Sequence, residues 1–134
     1  MGKDERFREW EPPEIKHGEL TEYNWLVQYP EGLTLGEHTD IGAFTYINAR
    51  YGVKIGKGVQ IGSHCSIYSR STIDNEQGPV TLEENCCIGA HTVVMPGVTV
   101  GENAVVGAMS LVKSDIPADC IAYGVPAKPA KRNA

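Results

Sequence analysis

The chain has no apolar run near the ~20 residues that a membrane-spanning helix needs. Its opening residues, Met1-Gly2-Lys3-Asp4-Glu5-Arg6, lack the apolar core of a secretory signal, and Arg6 stands where N-myristoylation would require Ser or Thr. These absences lead to the expectation of a cytoplasmic protein. The four cysteines, Cys65, Cys86, Cys87 and Cys120, form no Cys-x-x-Cys pair, so neither a zinc nor a redox motif is indicated. Positive charge is scarce. Twelve Lys and Arg against 17 Asp and Glu give a net charge of −5, which argues against general nucleic-acid binding. No basic residue lies between Arg70 and Lys113. The exception is the C-terminal stretch, where Lys113, Lys128, Lys131 and Arg132 outnumber Asp115 and Asp119. A basic tail on an acidic chain suggests an anionic ligand there, although a solvated tail has the same composition.

What the sequence does have is a period of six. Leu35, Ile41, Ile47, Ile55, Ile61 and Ile67 form one run of branched aliphatics, and Leu82, Ile88, Val94, Val100, Val106 and Val112 form a second. Glycine usually follows. A short fixed period marks a solenoid, and a hexapeptide period marks a parallel β-helix. Four residues after each aliphatic comes a small or β-branched residue: Thr39, Thr45, Val59, Cys65, Ser71, Cys86, Thr92, Val98, Ala104, Ser110 and Ile116. Two inward positions per hexad suit a short strand and a corner, and three such sides close a triangular coil. Coils then stack at roughly 4.8 Å, the spacing of paired strands. A helix is excluded, because a period of six does not keep aliphatics on one helical face. The glycines are expected where dihedrals are unusual or backbones approach closely. The fold class is therefore an all-β solenoid.

Two irregularities interrupt the register. Ala49-Arg50-Tyr51-Gly52 carries a bulge, and Asp74-Asn75-Glu76-Gln77-Gly78-Pro79, between Ile73 and Leu82, reads as a protruding loop. Insertions in solenoids map to loops on one face, often the binding face. The chain reads as a single domain in three parts. Residues 1–34 are a lead-in and cap, with a short helix expected from Asp4 to Trp10, stopped by Pro12. Residues 35–116 are the coils, and residues 117–134 are a Pro-punctuated extended tail. Cys65 and Cys86 fall at inward positions and are expected to pack as small hydrophobes.

The stretch from Leu82 to Lys131 resembles the C-terminal half of hexapeptide-repeat acyltransferases, in particular the galactoside and maltose O-acetyltransferase group. The motifs are Ile88-Gly89-Ala90-His91, Val94-Met95-Pro96-Gly97-Val98-Thr99-Val100-Gly101-Glu102-Asn103, Val106-Gly107-Ala108-Met109-Ser110, Lys113-Ser114-Asp115-Ile116-Pro117 and Gly124-Val125-Pro126-Ala127-Lys128. The resemblance implies a left-handed parallel β-helix, against the usual crossover hand. It also implies a homotrimer with active sites between subunits, acetyl-CoA as donor, and no metal. Carried over, Ala90 and Ala108 would offer backbone groups to the pantetheine arm. Lys113 and Ser114 stand where a Thr-Lys pair sits, in swapped order. Lys128 and Lys131 replace family arginines at the phosphate end, keeping charge but losing the bidentate fork. One departure matters. Galactoside-type enzymes carry a histidine base before the loop that precedes the Pro-Val-Thr strand. Here Ser69-Arg70-Ser71-Thr72-Ile73 holds no histidine, and the loop before Pro79-Val80-Thr81-Leu82 is short.

Acetyl transfer requires a group that takes the acceptor's proton and a donor for the tetrahedral oxyanion. Of four histidines, His17 lies in the lead-in. His38, His64 and His91 share one hexad position. Ile61 and Ile88 start the same side one coil apart, so His64 and His91 are expected to stack as neighbours, with His38 at another side. His64, then His91, are the candidate bases, since imidazole titrates near pH 6.5; both places also suit a plain surface corner. Asp74, Asn75, Glu76, Arg70 and Tyr46 are weaker candidates for touching a sugar-like acceptor. An amine acceptor needs little protein base, so the missing loop histidine favours an amino sugar. Two alternatives differ in class. One is a metal hydratase like the gamma-class carbonic anhydrases, built on histidines across an interface. The other is a non-catalytic scaffold subunit that binds no CoA.

Overall fold

The computed structural model describes residues 10–132. The hexad period resolves into three parallel sheets that the chain visits in turn. The first stacks Leu26–Gln28, Tyr46–Asn48, Ser66–Tyr68, Val93–Val94 and Leu111–Val112. The second stacks Leu33–Leu35, Val53–Ile55, Val80–Leu82 and Thr99–Val100, with Ile116 bridged to Val100. The third stacks Asp40–Ile41, Gln60–Ile61, Cys87–Ile88, Val105–Val106 and Cys120–Gly124. The result is a β-helix of about five coils, and the one helical piece among the described residues is the 3-10 turn Pro30–Gly32.

Register explains the period. Strand pairing places Val27, Ile47, Ile67, Val94 and Val112 in one column, each with no exposed surface. Leu35, Ile55, Leu82 and Val100 form the second column, and Ile41, Ile61, Ile88, Val106 and Ala122 the third. Fully burying a Val, Leu or Ile of these columns is worth about 1.5–3 kcal/mol, and only stacking one coil on the next achieves it. The glycine after the aliphatic serves close approach. A Cβ on Gly62 would stand 2.6 Å from the Ala90 nitrogen, and one on Gly89 would stand 2.4 Å from that of Ala108. The unusual dihedrals fall two residues later, where His38, Phe44, His64, His91 and Met109 all have φ near +60°.

The second inward line is buried throughout except at Ser71. Arg70–Ser71 leave the first sheet and pair antiparallel with Glu76–Gln77, so Ser71 edges a hairpin and Ile73, 99% exposed, sits near its tip. Ser69, fully buried, takes the inward place, accepting the Tyr51 N–H at 3.0 Å, and the core resumes at Val80. The insertion is thus longer than its polar residues suggest. Residues 29–32, 49–52 and 70–79 all lie at the corner joining the first sheet to the second.

Coiling begins at Leu26, ahead of the first clear hexad, because Leu26–Gln28 pairs with Tyr46–Asn48. Below it, Trp25 and Thr21 are buried and Ile15 packs on the core, while Trp10 donates its indole N–H to the Thr39 carbonyl at 3.0 Å. Residues 4–9 of the expected helix lie outside the described residues, and Trp10 is in no regular element. The tail is not a free extension. Cys120–Gly124 joins the third sheet, and Ala127–Arg132 returns antiparallel along it. No helix among the described residues is long and apolar enough to cross a membrane.

Candidate active site

The corner that leads from the third sheet into the first carries His64 and His91. Their rings stack 4.8 Å apart and within 6° of parallel, and both side chains are exposed. Stacking follows from the backbone: both residues have φ near +59° and the His91 N–H reaches the Ser63 carbonyl at 3.0 Å. Histidine is one of the residues that tolerates this conformation, so the turn itself admits it. Phe44 flanks His64 one coil below, at 5.4 Å, and exposed Met109 occupies the same place one coil above His91.

Beneath the rings runs a ladder of inward polar groups. Thr45 donates its hydroxyl to the Gly62 carbonyl at 2.9 Å, Cys65 its thiol to Gly89 at 3.2 Å, and Thr92 its hydroxyl to Gly107 at 3.2 Å. Each coil is tied to the next, and Ser110 extends the line by accepting the Gly124 N–H. Burial pushes the Cys65 thiol above its ordinary value, outweighing hydrogen bonds from the Thr92 and His91 backbone and the Thr45 side chain. The histidine corner is therefore rigid from below.

Ala90 and Ala108 lie on this same corner, each one residue before His91 and Met109. The Ala90 carbonyl accepts the Met109 N–H at 2.9 Å, while neither alanine N–H donates to a backbone carbonyl among the described residues. The other predicted donor-site residues lie apart. Lys113 and Ser114 sit on the insertion corner in the last coil, exposed. Lys128 and Lys131 are exposed on the returning strand, opposite Tyr123 and Ile121. His38 stands on the third kind of corner, beside Trp10, so it does not join His64 and His91 within one chain. Among the described residues no group of three or more His, Cys, Asp and Glu is placed to hold a metal ion.

Between the histidine corner and the insertion corner lies the outer surface of the first sheet. Tyr46 and Tyr68 point out from neighbouring coils with ring centroids 5.6 Å apart. The Tyr46 hydroxyl donates to Gln28 Oε1 at 2.6 Å and accepts from Asn48 Nδ2 at 3.3 Å. Burial raises the Tyr46 phenol above its usual range, so it remains a neutral donor. Sequence reasoning reached Tyr46 but missed Tyr68, although the outward positions of a strand, alternating with Ile47 and Ile67, would have found it.

Residues 79–114 match the family model described as bacterial transferase hexapeptide (six repeats). The galactoside O-acetyltransferase of Escherichia coli (strain K12) is 33% identical over 120 residues, covering 78% of this chain and 59% of that protein, so the chain spans little more than half its length. A hexapeptide-repeat acetyltransferase of Vibrio cholerae, complexed with acetyl coenzyme A, superposes with a TM-score of 0.78 at 27% identity, over 82% of this chain and 65% of the other. A galactoside acetyltransferase in complex with coenzyme A gives 0.75 at 28%, over 82% and 60%. Hexad columns, coiled sheets and these likenesses agree: the chain is a hexapeptide-repeat β-helix similar to acetyltransferases of that fold.

Proposed function

We propose that the chain transfers an acetyl group from acetyl-CoA to a hydroxyl or amine of a sugar-like acceptor, as a homotrimer. The observation that carries this reading is the stacked His64–His91 pair on a rigid corner, with the Ala90 and Ala108 amides beside it and a tyrosine-lined sheet adjoining. The relatives support the donor, two of them being solved with acetyl-CoA or CoA, and the galactoside acetyltransferases support a sugar acceptor.

In the reaction, the acceptor oxygen or nitrogen attacks the thioester carbonyl carbon while its proton passes to an imidazole, His64 first and His91 second. The carbon–sulfur bond then breaks, and the CoA thiolate leaves with that proton. Backbone N–H groups such as those of Ala90 and Ala108 suit the pantetheine arm, while Lys128 and Lys131 offer point charges for its phosphates. Lys113 and Ser114, a sheet's width from the histidine corner, would serve a donor lying in a cleft between two copies.

Calorimetric titration of acetyl-CoA into the purified protein is the direct test. Micromolar binding, weakened several-fold by Lys128→Ala, is expected; absence of binding would sink the reading and leave a scaffold role. A His64→Ala variant should lose about 10²-fold or more in transfer to a hydroxyl acceptor, with less loss to an amine. Full activity of that variant toward both would remove His64 from the chemistry.

A further inference from the structure

Resting on the acetyl-transfer reading, we infer that the acceptor is an anion and that Arg50 and Arg70 hold its charge. The three insertions at one corner bring these residues together. Arg50 Nη1 donates to the Tyr29 hydroxyl at 3.4 Å, and its guanidinium lies 5.3 Å from the Tyr29 ring and 5.7 Å from that of Tyr51. Arg70 Nη1 donates to the Tyr51 hydroxyl at 3.0 Å and Nη2 to Asn75 Oδ1 at 3.5 Å, with its guanidinium 5.9 Å from the Tyr51 ring. The two cations thus flank one aromatic ring.

Every partner in this cluster is neutral. On a chain of net charge −5, carboxylates are plentiful, yet among the described residues neither arginine forms an ion pair. Aromatic faces and hydroxyls orient a guanidinium without cancelling its charge. A guanidinium has five N–H donors, so most remain for a ligand. The acid nearest to Arg70 in sequence, Asp74, is engaged by the Ser71 hydroxyl and the Glu76 N–H. Two oriented cations beside a tyrosine-lined sheet fit a sugar that bears an oxyanion, either its own carboxylate or a diphosphate linking it to a nucleoside. Both present paired oxygens to a forked donor.

The test is a set of titrations with uridine diphosphate, galacturonate and galactose, on the intact chain and on Arg50→Gln, Arg70→Gln and Arg70→Lys. At least one anion should bind, more weakly as salt rises. Each Gln variant should weaken it about tenfold, Arg70→Lys should restore part of the loss, and galactose should bind far more weakly. Uridine diphosphate alone would mark a nucleotide-linked acceptor, and galacturonate alone an acidic sugar. If neither anion binds while acetyl-CoA does, the anion site is overturned and the transferase reading stands. If both Gln variants weaken acetyl-CoA as much as the anions, the arginines serve the donor and the inference also fails. Anion binding without acetyl-CoA binding would keep the site and sink acetyl transfer.

Discussion

A residue's place in the hexad decides both its exposure and its chemistry. The position two after glycine needs φ near +60° and points outward, and His64 and His91 stand there. The next position points inward, and on this corner Thr45, Cys65, Thr92 and Ser110 fill it. Cys65 is 1% exposed and its thiol is pushed up by burial, whereas Cys87 and Cys120 are only half-buried, Cys120 lying against the core. The thiolate is the reactive form. Alkylation at mildly alkaline pH, followed by mass spectrometry, should therefore label Cys87 and Cys120 long before Cys65 and Cys86. Early labelling of Cys65 would mean that the corner opens. The stacking of the two histidines was legible from the count of sides alone. The carbonyl ladder under them was not, because hydrogen-bond partners a coil away leave no trace in spacing.

Among the elements, the hairpin at residues 70–79 is the least legible. Ile73 reads as one more hexad aliphatic, and only pairing of Arg70–Ser71 with Glu76–Gln77 shows that the register has already broken. The same holds for the tail, whose prolines suggest a loose extension but whose residues complete the third sheet. Regular coils were legible because each column demands an aliphatic at a fixed interval, and no such demand applies to inserted residues. The hairpin closes at its base, where the Gly78 N–H meets the Ser69 carbonyl at 2.9 Å. Replacing residues 70–79 with a short turn should therefore keep the β-sheet circular dichroism and acetyl-CoA binding but abolish acceptor turnover. Retained turnover would place the acceptor elsewhere. Asp74 gives the hairpin a pH limit. Its carboxyl is held below the ordinary 3.8, chiefly by the Ser71 hydroxyl. A depressed pKa stabilises above the unfolded value and is lost as pH falls through the folded one. The hairpin should therefore stay ordered at neutral pH and loosen only below about pH 4, which amide spectra of residues 74–77 would report.

For the whole molecule, stability is a sum over stacked neighbours. Ile67 touches columns above and below, pairing with Ile47 on one side and Val94 on the other, while Val112 has only Val94 beneath it. Ile67→Ala should cost about 2–5 kcal/mol, and Val112→Ala distinctly less, as read by denaturant unfolding. Equal costs would show that the last coil is held as firmly as the middle ones.

The position of His64 and His91 along this stack has its own consequence. They occupy the second and third of about five coils, with the ladder from Thr45 to Ser110 running past them on both sides. In a one-dimensional array, opening starts at the ends and works inward. Amide hydrogens near Ile61, Ile67 and Ile88 should be the last to exchange with deuterium. The paired imidazoles would then stay in place through the breathing of both ends, while the cap and the returning strand with Lys128 come and go. A donor could be gripped and released at the periphery without disturbing the residues that receive the proton.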